Sequence, residues 1–236
     1  MKIAIHQPHF LPWLGYLHRM ARVDAFVLLD HVQFERRNYQ NRTMIRVNGA
    51  AHWLTVPVMQ RSQQERIVDK EVDNGRDEAR YWGKTAMTTL QHVYGKAAFF
   101  RDYAPALKAI LDARHARLVD LNQATLDFLR DAFGVRTPLI RSSELKVGGQ
   151  RAELVFEICR AVGAGRLLAG MGGSRGYLDV EEFARRGVRI EWHQFPHPVY
   201  PQPGPQPFVP GLSAIDMLFH VGPQPLLQRA PEMKAA

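Results

Sequence analysis

Three polar and aromatic segments of the chain carry the residue types that could do chemistry. Residues 7–16 follow a first apolar run of strand length, Asp30 and residues 33–42 follow a second, and residues 196–202 follow the last. The carboxyl ends of parallel strands meet at one edge of a sheet, where α/β proteins build ligand sites. We therefore predict that His9, Asp30, Asn41, Arg42, His197, Tyr200 and Gln202 converge on one cavity.

These residue types suggest three chemical tasks. Histidine can exchange protons near neutral pH, and an aspartate can orient or deprotonate a nucleophile. Arginine neutralises phosphate, and side-chain amides fix hydroxyl or amide groups. The predicted catalytic residues are His9, Asp30 and His197. The predicted substrate-binding residues are Gln7, Trp13, Tyr16, Arg37, Asn41, Arg42, Tyr200 and Gln202.

A glycine-rich loop at residues 170–176 is a candidate anion site. It lies between a predicted strand and a predicted helix, where backbone amides can cradle phosphate. The predicted phosphate-binding residues are Gly170, Gly172, Gly173, Ser174 and Arg175. The spacing of these glycines differs from the standard dinucleotide-binding fingerprint, and the loop lies late in the chain. Both points disfavour an NAD site, although Glu191 closes the next strand, where such a site would place its ribose-binding acid. The alternative is a tight, flexible turn.

The histidines also raise a metal hypothesis. Glu191, His193 and His197 would share one face of an extended strand, giving two imidazoles and a carboxylate. Pro196 and Pro198 interrupt that geometry, so no metal is favoured and the cofactor is left unknown. Cys159 lies in an apolar helical stretch and is expected to pack in the core.

Composition narrows the class of protein. The chain has 236 residues, 46% hydrophobic and 23% charged, with a formal net charge of +8. These values suit a globular domain and exclude a disordered or collagen-like chain. One cysteine excludes a disulfide framework, and no apolar run reaches the ~20 residues of a membrane span. We expect a soluble cytoplasmic protein. Its arginines are scattered along the chain, which disfavours nucleic acid as a partner and leaves the oligomeric state open, a homo-oligomer included.

The elements that must position these residues follow from periodicity. Residues 2–6, 24–29, 135–140, 166–169 and 188–192 are predicted strands, and residues 43–47 and 52–58 flank Asn48-Gly49 as a β-hairpin. Residues 12–21, 150–162 and 180–186 are predicted helices, and residues 77–133 form an inserted block of about three more. Residues 195–210 are predicted to be ordered loop, and 228–236 a frayed tail. The predicted fold class is α/β: one domain with a mostly parallel sheet and helices on both faces.

Several motifs resemble the WbqC-like protein family. They are Gln7-Pro-His-Phe-Leu-Pro-Trp-Leu-Gly-Tyr16, Phe26-Val-Leu-Leu-Asp30 leading into Asn41-Arg42, Trp53-Leu-Thr-Val-Pro57, Gly170 with Tyr177-Leu178-Asp179, His197-Pro-Val-Tyr-Pro-Gln202 and Leu212-Ser-Ala-Ile-Asp-Met-Leu-Phe219. The resemblance covers nearly the whole chain. Thr85 and His220 depart from it, since a histidine and an asparagine are expected there.

The resemblance implies a bacterial protein associated with surface-polysaccharide or O-antigen sugar biosynthesis, without fixing a reaction. We therefore predict a transferase acting on a nucleotide-linked or otherwise activated sugar or amino sugar. One alternative is a non-catalytic binding or scaffold protein of a polysaccharide assembly system. Another is a nucleotide-binding protein of HIGH-type nucleotidyltransferase-like fold, which Gly15-Tyr16-Leu17-His18 loosely echoes.

Overall fold

A parallel five-stranded sheet forms the centre of the protein. The computed structural model describes residues 1–77 and 81–224. Its strands are β1 (Lys2–His6), β2 (Ala25–Leu28), β3 (Arg42–Val47), β4 (Ala50–Thr55), β5 (Leu139–Arg141), β6 (Arg166–Ala169) and β7 (Arg189–Trp192). The central sheet has the order β5-β2-β1-β6-β7 with every neighbouring pair parallel, while β3 and β4 pair antiparallel. The predicted α/β class is confirmed.

Side-chain alternation along the strands gives the sheet two apolar faces. Ala4, Phe26 and Leu168 belong to one core, and Val27 and Leu167 belong to the other. The helices are α1 (Leu14–Met20), α2 (Trp82–Tyr94), α3 (Phe100–Asp112), α4 (Leu118–Ala132), α5 (Arg151–Ala161), α6 (Val180–Arg185) and α7 (Ala214–Val221). Helices α1 to α4 and α7 contribute to the first core, and α5 and α6 to the second. Both faces are therefore covered, as parallel sheets require.

The predicted hairpin forms around Asn48-Gly49. Both residues have positive φ, 49° and 84°, as a two-residue type I′ turn requires. Val47 pairs directly with Ala50, so the second strand starts two residues before the predicted one.

The inserted block contains three helices, as predicted, although residues 78–80 of the predicted 77–133 span lie outside the described residues. Helix α3 begins at Phe100 and contains Pro105, five residues further along. Proline is tolerated there at the cost of one backbone hydrogen bond, because it lacks an N–H group.

Strand β5 is shorter and later than predicted. It spans Leu139–Arg141 instead of residues 135–140, because the Val135 N–H bonds the Arg130 carbonyl at the end of α4 and Pro138 has no N–H to donate. Two helices begin at side-chain caps: the Asp179 carboxylate accepts from the Glu181 and Glu182 amides, and the Ser213 hydroxyl accepts from the Ile215 amide. Residues 195–210 contain no helix or strand, as predicted. The predicted frayed tail, 228–236, lies outside the described residues.

The strand order changes direction at β1, which positions the site. The chain places β2 and then β5 on one side of β1, and β6 and then β7 on the other. Connections therefore leave the carboxyl ends of β1 and β6 in opposite directions, and such a switch point is where open α/β sheets bind ligands. Among the described residues, no helix is long and apolar enough to cross a membrane.

Candidate functional site

A buried arginine lies at the switch point. Arg19, on the short helix after β1, is only 6% exposed. Its Nη1 is so close to Gly170, the residue after β6, that a Cβ there would lie 2.6 Å from it. Within residues 1–77 and 81–224 no carboxylate pairs with Arg19, and its buried Nε has no hydrogen-bond partner. Burial lowers the pKa of the guanidinium to about 10, so the group is still a cation at neutral pH.

Two histidines and a tyrosine pack beside this cation. The His6 and His9 ring centroids are 4.5 Å apart, and Tyr16 lies 4.9 Å from His6 and 5.3 Å from His9. Burial, and then the charge of Arg19, lowers the pKa of His9 to about 3 and that of His6 well below its ordinary value. Both rings are therefore neutral at pH 7, and the buried Nδ1 of His9 has no partner.

A second histidine pair at the switch point has a fixed arrangement of protons. Arg22 Nε donates to His18 Nε2 at 2.9 Å, and His18 Nδ1 lies 2.7 Å from His193 Nε2. A guanidinium only donates, so the hydrogen of neutral His18 lies on Nδ1 and is donated to His193. His193 then carries its own hydrogen on Nδ1. Burial lowers the pKa of His18 to about 4 and that of His193 to about 3.

The glycine-rich loop begins at this cluster. Gly170 follows β6, and a 3-10 turn spans Gly173–Gly176. Gly172, Gly173 and Arg175 are exposed and Ser174 is half-buried, while the Arg175 guanidinium lies 5.8 Å from the Trp192 ring centroid. Of the predicted phosphate-binding residues, Gly170 is the one in contact with Arg19. Phosphate binding by the loop stays a prediction.

Aromatic contacts connect the switch point to the hairpin. His9 stacks on Tyr39 at 5.4 Å, Tyr39 meets Trp53 edge-on at 5.2 Å, and the Arg42 guanidinium lies 3.8 Å from a Trp53 ring centroid. Gln7, in the same segment as His9, accepts a hydrogen bond through Oε1 from Gln40 Nε2 at 2.9 Å, and Gln40 follows Tyr39 in the chain. Of the residues predicted to converge, His9 and Arg42 are thus joined through two aromatic rings.

Arg37, Asn41 and Arg42 line one cavity of about 230 Å³ beside the hairpin. Asn41 Nδ2 donates to the Val56 carbonyl at 2.8 Å, which ties the start of β3 to the end of β4. The Arg42 guanidinium also donates to the Arg37 carbonyl.

Asp30 lies at the carboxyl end of β2, where protein groups engage its carboxylate. Ser142 Oγ donates to Oδ1 at 3.1 Å, the Ser143 amide donates to Oδ1 at 2.8 Å, and Ser143 Oγ donates to Oδ2 at 2.8 Å. The side chain is fully buried. These bonds tie β2 to the turn after β5, and the catalytic role of Asp30 stays a prediction.

His197, Tyr200 and Gln202 are held within their proline-rich loop. His197 Nδ1 bonds the Pro198 carbonyl at 2.8 Å, and its Nε2 accepts from the Gly211 amide at 3.1 Å. Tyr200 and Gln202 donate to the buried Asp216 carboxylate at 2.8 and 2.9 Å. Trp13 reaches this loop, since Phe195 lies 5.4 Å from Trp13 and 5.5 Å from His197.

The hydrogen bonds and contacts thus place the seven residues predicted to converge in three groups: His9 with Asn41 and Arg42, Asp30 with the serines, and His197 with Tyr200 and Gln202. The parallel strands end at one edge, and the segments after β1 and β2 are joined there, because the Phe10 amide donates to the Tyr39 carbonyl. Convergence of all seven residues on one cavity stays a prediction. Among the described residues, no group of three or more His, Cys, Asp or Glu side chains could hold a metal ion.

Comparison with known proteins establishes the family. The model of the WbqC-like protein family matches residues 7–227. The chain belongs to that family. A Mycobacterium tuberculosis protein, the uncharacterized protein Rv1507c, is 29% identical over 223 residues, which is 94% of each chain. No solved structure matches.

The switch point is built partly from segments that carry the WbqC-like resemblance, since residues 7–16 and Gly170 both contribute to it. Thr85, where the resemblance leads one to expect a histidine, is exposed on α2. His220, the other departure, lies with Nε2 3.9 Å from the Asp216 carboxylate.

Sequence reasoning missed Arg19. His18 entered it only in the Gly15-Tyr16-Leu17-His18 echo, and His6 and His193 only as histidines of the metal and acid–base alternatives. One signal could have found Arg19. It lies between Leu17 and Met20 on a short helix whose residues are all buried, and arginine is rarely buried without a partner.

Proposed function

We propose that this WbqC-like protein is a transferase that binds the phosphate group of a nucleotide-linked or otherwise activated sugar or amino sugar at the switch point. The observation that carries the proposal is the buried Arg19 cation without a paired carboxylate among the described residues. An unpaired buried charge is costly, and an anionic ligand removes that cost. The setting in bacterial surface-polysaccharide synthesis rests on the family resemblance.

The surrounding groups fit such a ligand. Arg19 would donate to phosphate oxygens, and the backbone of Gly170, where the glycine-rich loop begins, approaches the same point. His9 and His193 are neutral at pH 7, so His9 can donate or accept one hydrogen bond at Nδ1 and His193 can donate one from Nδ1 without adding charge, whereas both nitrogens of His18 are engaged by Arg22 and His193. Group transfer from an activated donor depends mainly on positioning and charge neutralisation, which these residues supply.

The test is calorimetric titration with UDP-sugars, free nucleotides and sugar phosphates, together with release of free nucleotide from each donor. We expect a phosphate-bearing donor to bind and Arg19→Met to weaken its binding at least tenfold. Arg101→Met removes an exposed arginine on α3 and should bind as the unaltered chain does. Equal affinity in both variants would contradict the proposal, and absence of binding by every phosphate compound would favour a scaffold protein.

A second candidate is nucleotidyl transfer, and the strand order favours it. Counted along the chain, the parallel strands lie in the order third, second, first, fourth, fifth, which is typical of nucleotide-binding sheets. This is an analogy of fold, so it identifies a ligand class more than a reaction. Release of pyrophosphate from a nucleoside triphosphate in the presence of a sugar phosphate would select this reaction. Release of nucleoside diphosphate from a nucleotide-sugar would select sugar transfer.

A further inference from the structure

A second basic site lies beside the hairpin, and Arg19 does not belong to its lining. Arg36, Arg37 and Arg42 line the cavity of about 230 Å³ together with three neutral polar residues and two apolar ones. We call it the arginine cavity. No carboxylate belongs to its lining. Three cations around one small cavity repel one another unless an anion lies between them.

The guanidinium groups of Arg36 and Arg37 are available to a ligand, and that of Arg42 is partly engaged, because it donates to the Arg37 carbonyl. In the part of the chain that the structure describes, no side-chain hydrogen bond or ion pair involves Arg36 or Arg37, and the buried Nε of Arg42 has no partner. Glu35 precedes Arg36 in the chain, but its carboxylate accepts from Asn38 Nδ2 at 2.8 Å. The neighbouring acid is therefore engaged elsewhere.

The backbone at Arg37 supports a role for its side chain. Arg37 has a φ of 63°, in the left-handed region that glycine adopts without steric cost and other residues rarely adopt. An arginine at such a position suggests that the side chain is needed there, since a residue in this conformation points to function when the surroundings hold it.

An aromatic surface adjoins the cavity and leads towards the switch point. Arg42 is shared: it lines the cavity and lies against Trp53, which is 41% exposed. Trp53 contacts Tyr39, and Tyr39 stacks on His9. The exposed ring of Trp53 and the half-buried ring of Tyr39 offer flat apolar faces with polar edges, which suit a sugar ring.

We propose that the arginine cavity binds a saccharide that carries a negatively charged oxyanion group, a uronate carboxylate or a phosphate. The anion lies among the three guanidiniums, and the adjoining sugar ring lies against Trp53. On this arrangement the charged saccharide is the second substrate, the acceptor, and the path of rings from Trp53 through Tyr39 to His9 brings it towards the donor. The acceptor role rests on the proposed transferase function, whereas the binding of an acidic saccharide does not.

The test compares an acidic with a neutral trisaccharide by calorimetry. We expect trigalacturonate to bind and the uncharged galactose trisaccharide to bind at least tenfold more weakly, with an affinity for trigalacturonate that falls as salt is raised. The Arg36→Met/Arg37→Met double variant should lose at least tenfold in affinity for trigalacturonate. The Arg101→Met/Arg166→Met control removes the same charge from two exposed residues elsewhere and should lose less than twofold. Equal losses in the two double variants would overturn the proposal, as would equal binding of the two saccharides.

Two further titrations distinguish this site from the switch point, and a carboxylate from a phosphate as the bound anion. Arg19→Met should keep its affinity for trigalacturonate, and the Arg36/Arg37 double variant should keep its affinity for a nucleotide-sugar. Glucose 6-phosphate, titrated into Arg19→Met, tests a phosphate as the anion. If nucleotide-sugars do not bind but the acidic saccharide binds through the arginine cavity, the donor proposal fails and this one stands. If neither trigalacturonate nor glucose 6-phosphate binds Arg19→Met, the arginine cavity is not a saccharide site.

Discussion

At the scale of single residues, the buried charge of Arg19 lowers the stability of the ligand-free protein, and the same charge is the proposed ligand-binding group. Its burial lowers the guanidinium pKa from 12.5 to about 10, which corresponds to a desolvation cost on the order of 3 kcal/mol. Methionine keeps much of the side-chain volume without the charge. We expect Arg19→Met to leave the free energy of unfolding of the ligand-free protein unchanged or to raise it by about 1–2 kcal/mol, as when buried charges are replaced by apolar residues. Urea unfolding of the variant beside Arg101→Met measures this. A loss above about 2 kcal/mol would mean that Arg19 is compensated within the fold.

His9 makes stability depend on pH. Its folded-state pKa is about 3, below the unfolded value of about 6.5, so the unfolded state binds more protons between these values. Stability therefore falls as pH is lowered through 6.5, and one such group contributes a loss of about 2 kcal/mol by pH 5. Urea unfolding at pH 7 and pH 5 should show that His9→Gln removes about that much of the total loss. His52→Gln, at an exposed position on β4, is the matched control. An equal pH dependence in both variants would contradict the buried, neutral state of His9.

At the scale of elements, Gln202 fastens the proline-rich loop to α7. It donates to the Val209 carbonyl at 3.1 Å and to Asp216 at 2.9 Å, and it accepts from the Val209 amide at 2.9 Å. Alanine would leave the Val209 groups unpaired and remove one donor from a buried carboxylate. We expect Gln202→Ala to lower the free energy of unfolding by about 1–3 kcal/mol.

Thermal melts of Gln202→Ala and of Gln64→Ala, which truncates an exposed glutamine, provide the comparison. If Gln202→Ala melts with the unaltered chain but loses ligand binding, the predicted substrate-binding role of Gln202 is favoured over this structural one.

The elements themselves were largely predictable because they follow from local rules. Strands β1 and β6 have their predicted ends, and Asn48-Gly49 forms the turn that its permissive φ values favour. The site was less predictable. Spacing places Asp30 and His197 after strands, but it does not reveal that Ser143 and Gly211 take up their hydrogen-bonding groups. Those partners are distant in the sequence or lie across a loop, so only the folded chain brings them together.

At the scale of the whole molecule, two basic sites lie on different parts of the scaffold. The switch point is built on the central sheet and α1, whereas the arginine cavity is built on the hairpin and the segment before it. The formal net charge of +8 gives both a background that attracts anions. On the two proposals, a donor and an acceptor that both carry negative charge would repel each other in water, and Arg19 on one side and the arginine cavity on the other would hold them near each other.

The two sites should give different footprints when each ligand binds. Ligand binding raises the free energy of local opening where the ligand makes contact, so amide hydrogen exchange slows there first. We expect a nucleotide-sugar to slow exchange in α1 and in residues 170–176, because Arg19 and Gly170 lie in contact. Trigalacturonate should instead slow exchange in residues 34–42 and in β4. The loop around Gln202, anchored on α7 by Asp216, serves as an internal reference and should change little with either ligand. Mass spectrometry of exchange with each ligand alone makes the measurement. Protection of residues 196–202 by the nucleotide-sugar, with α1 unchanged, would move the donor site from the switch point to the proline-rich loop and restore His197 as its candidate acid or base.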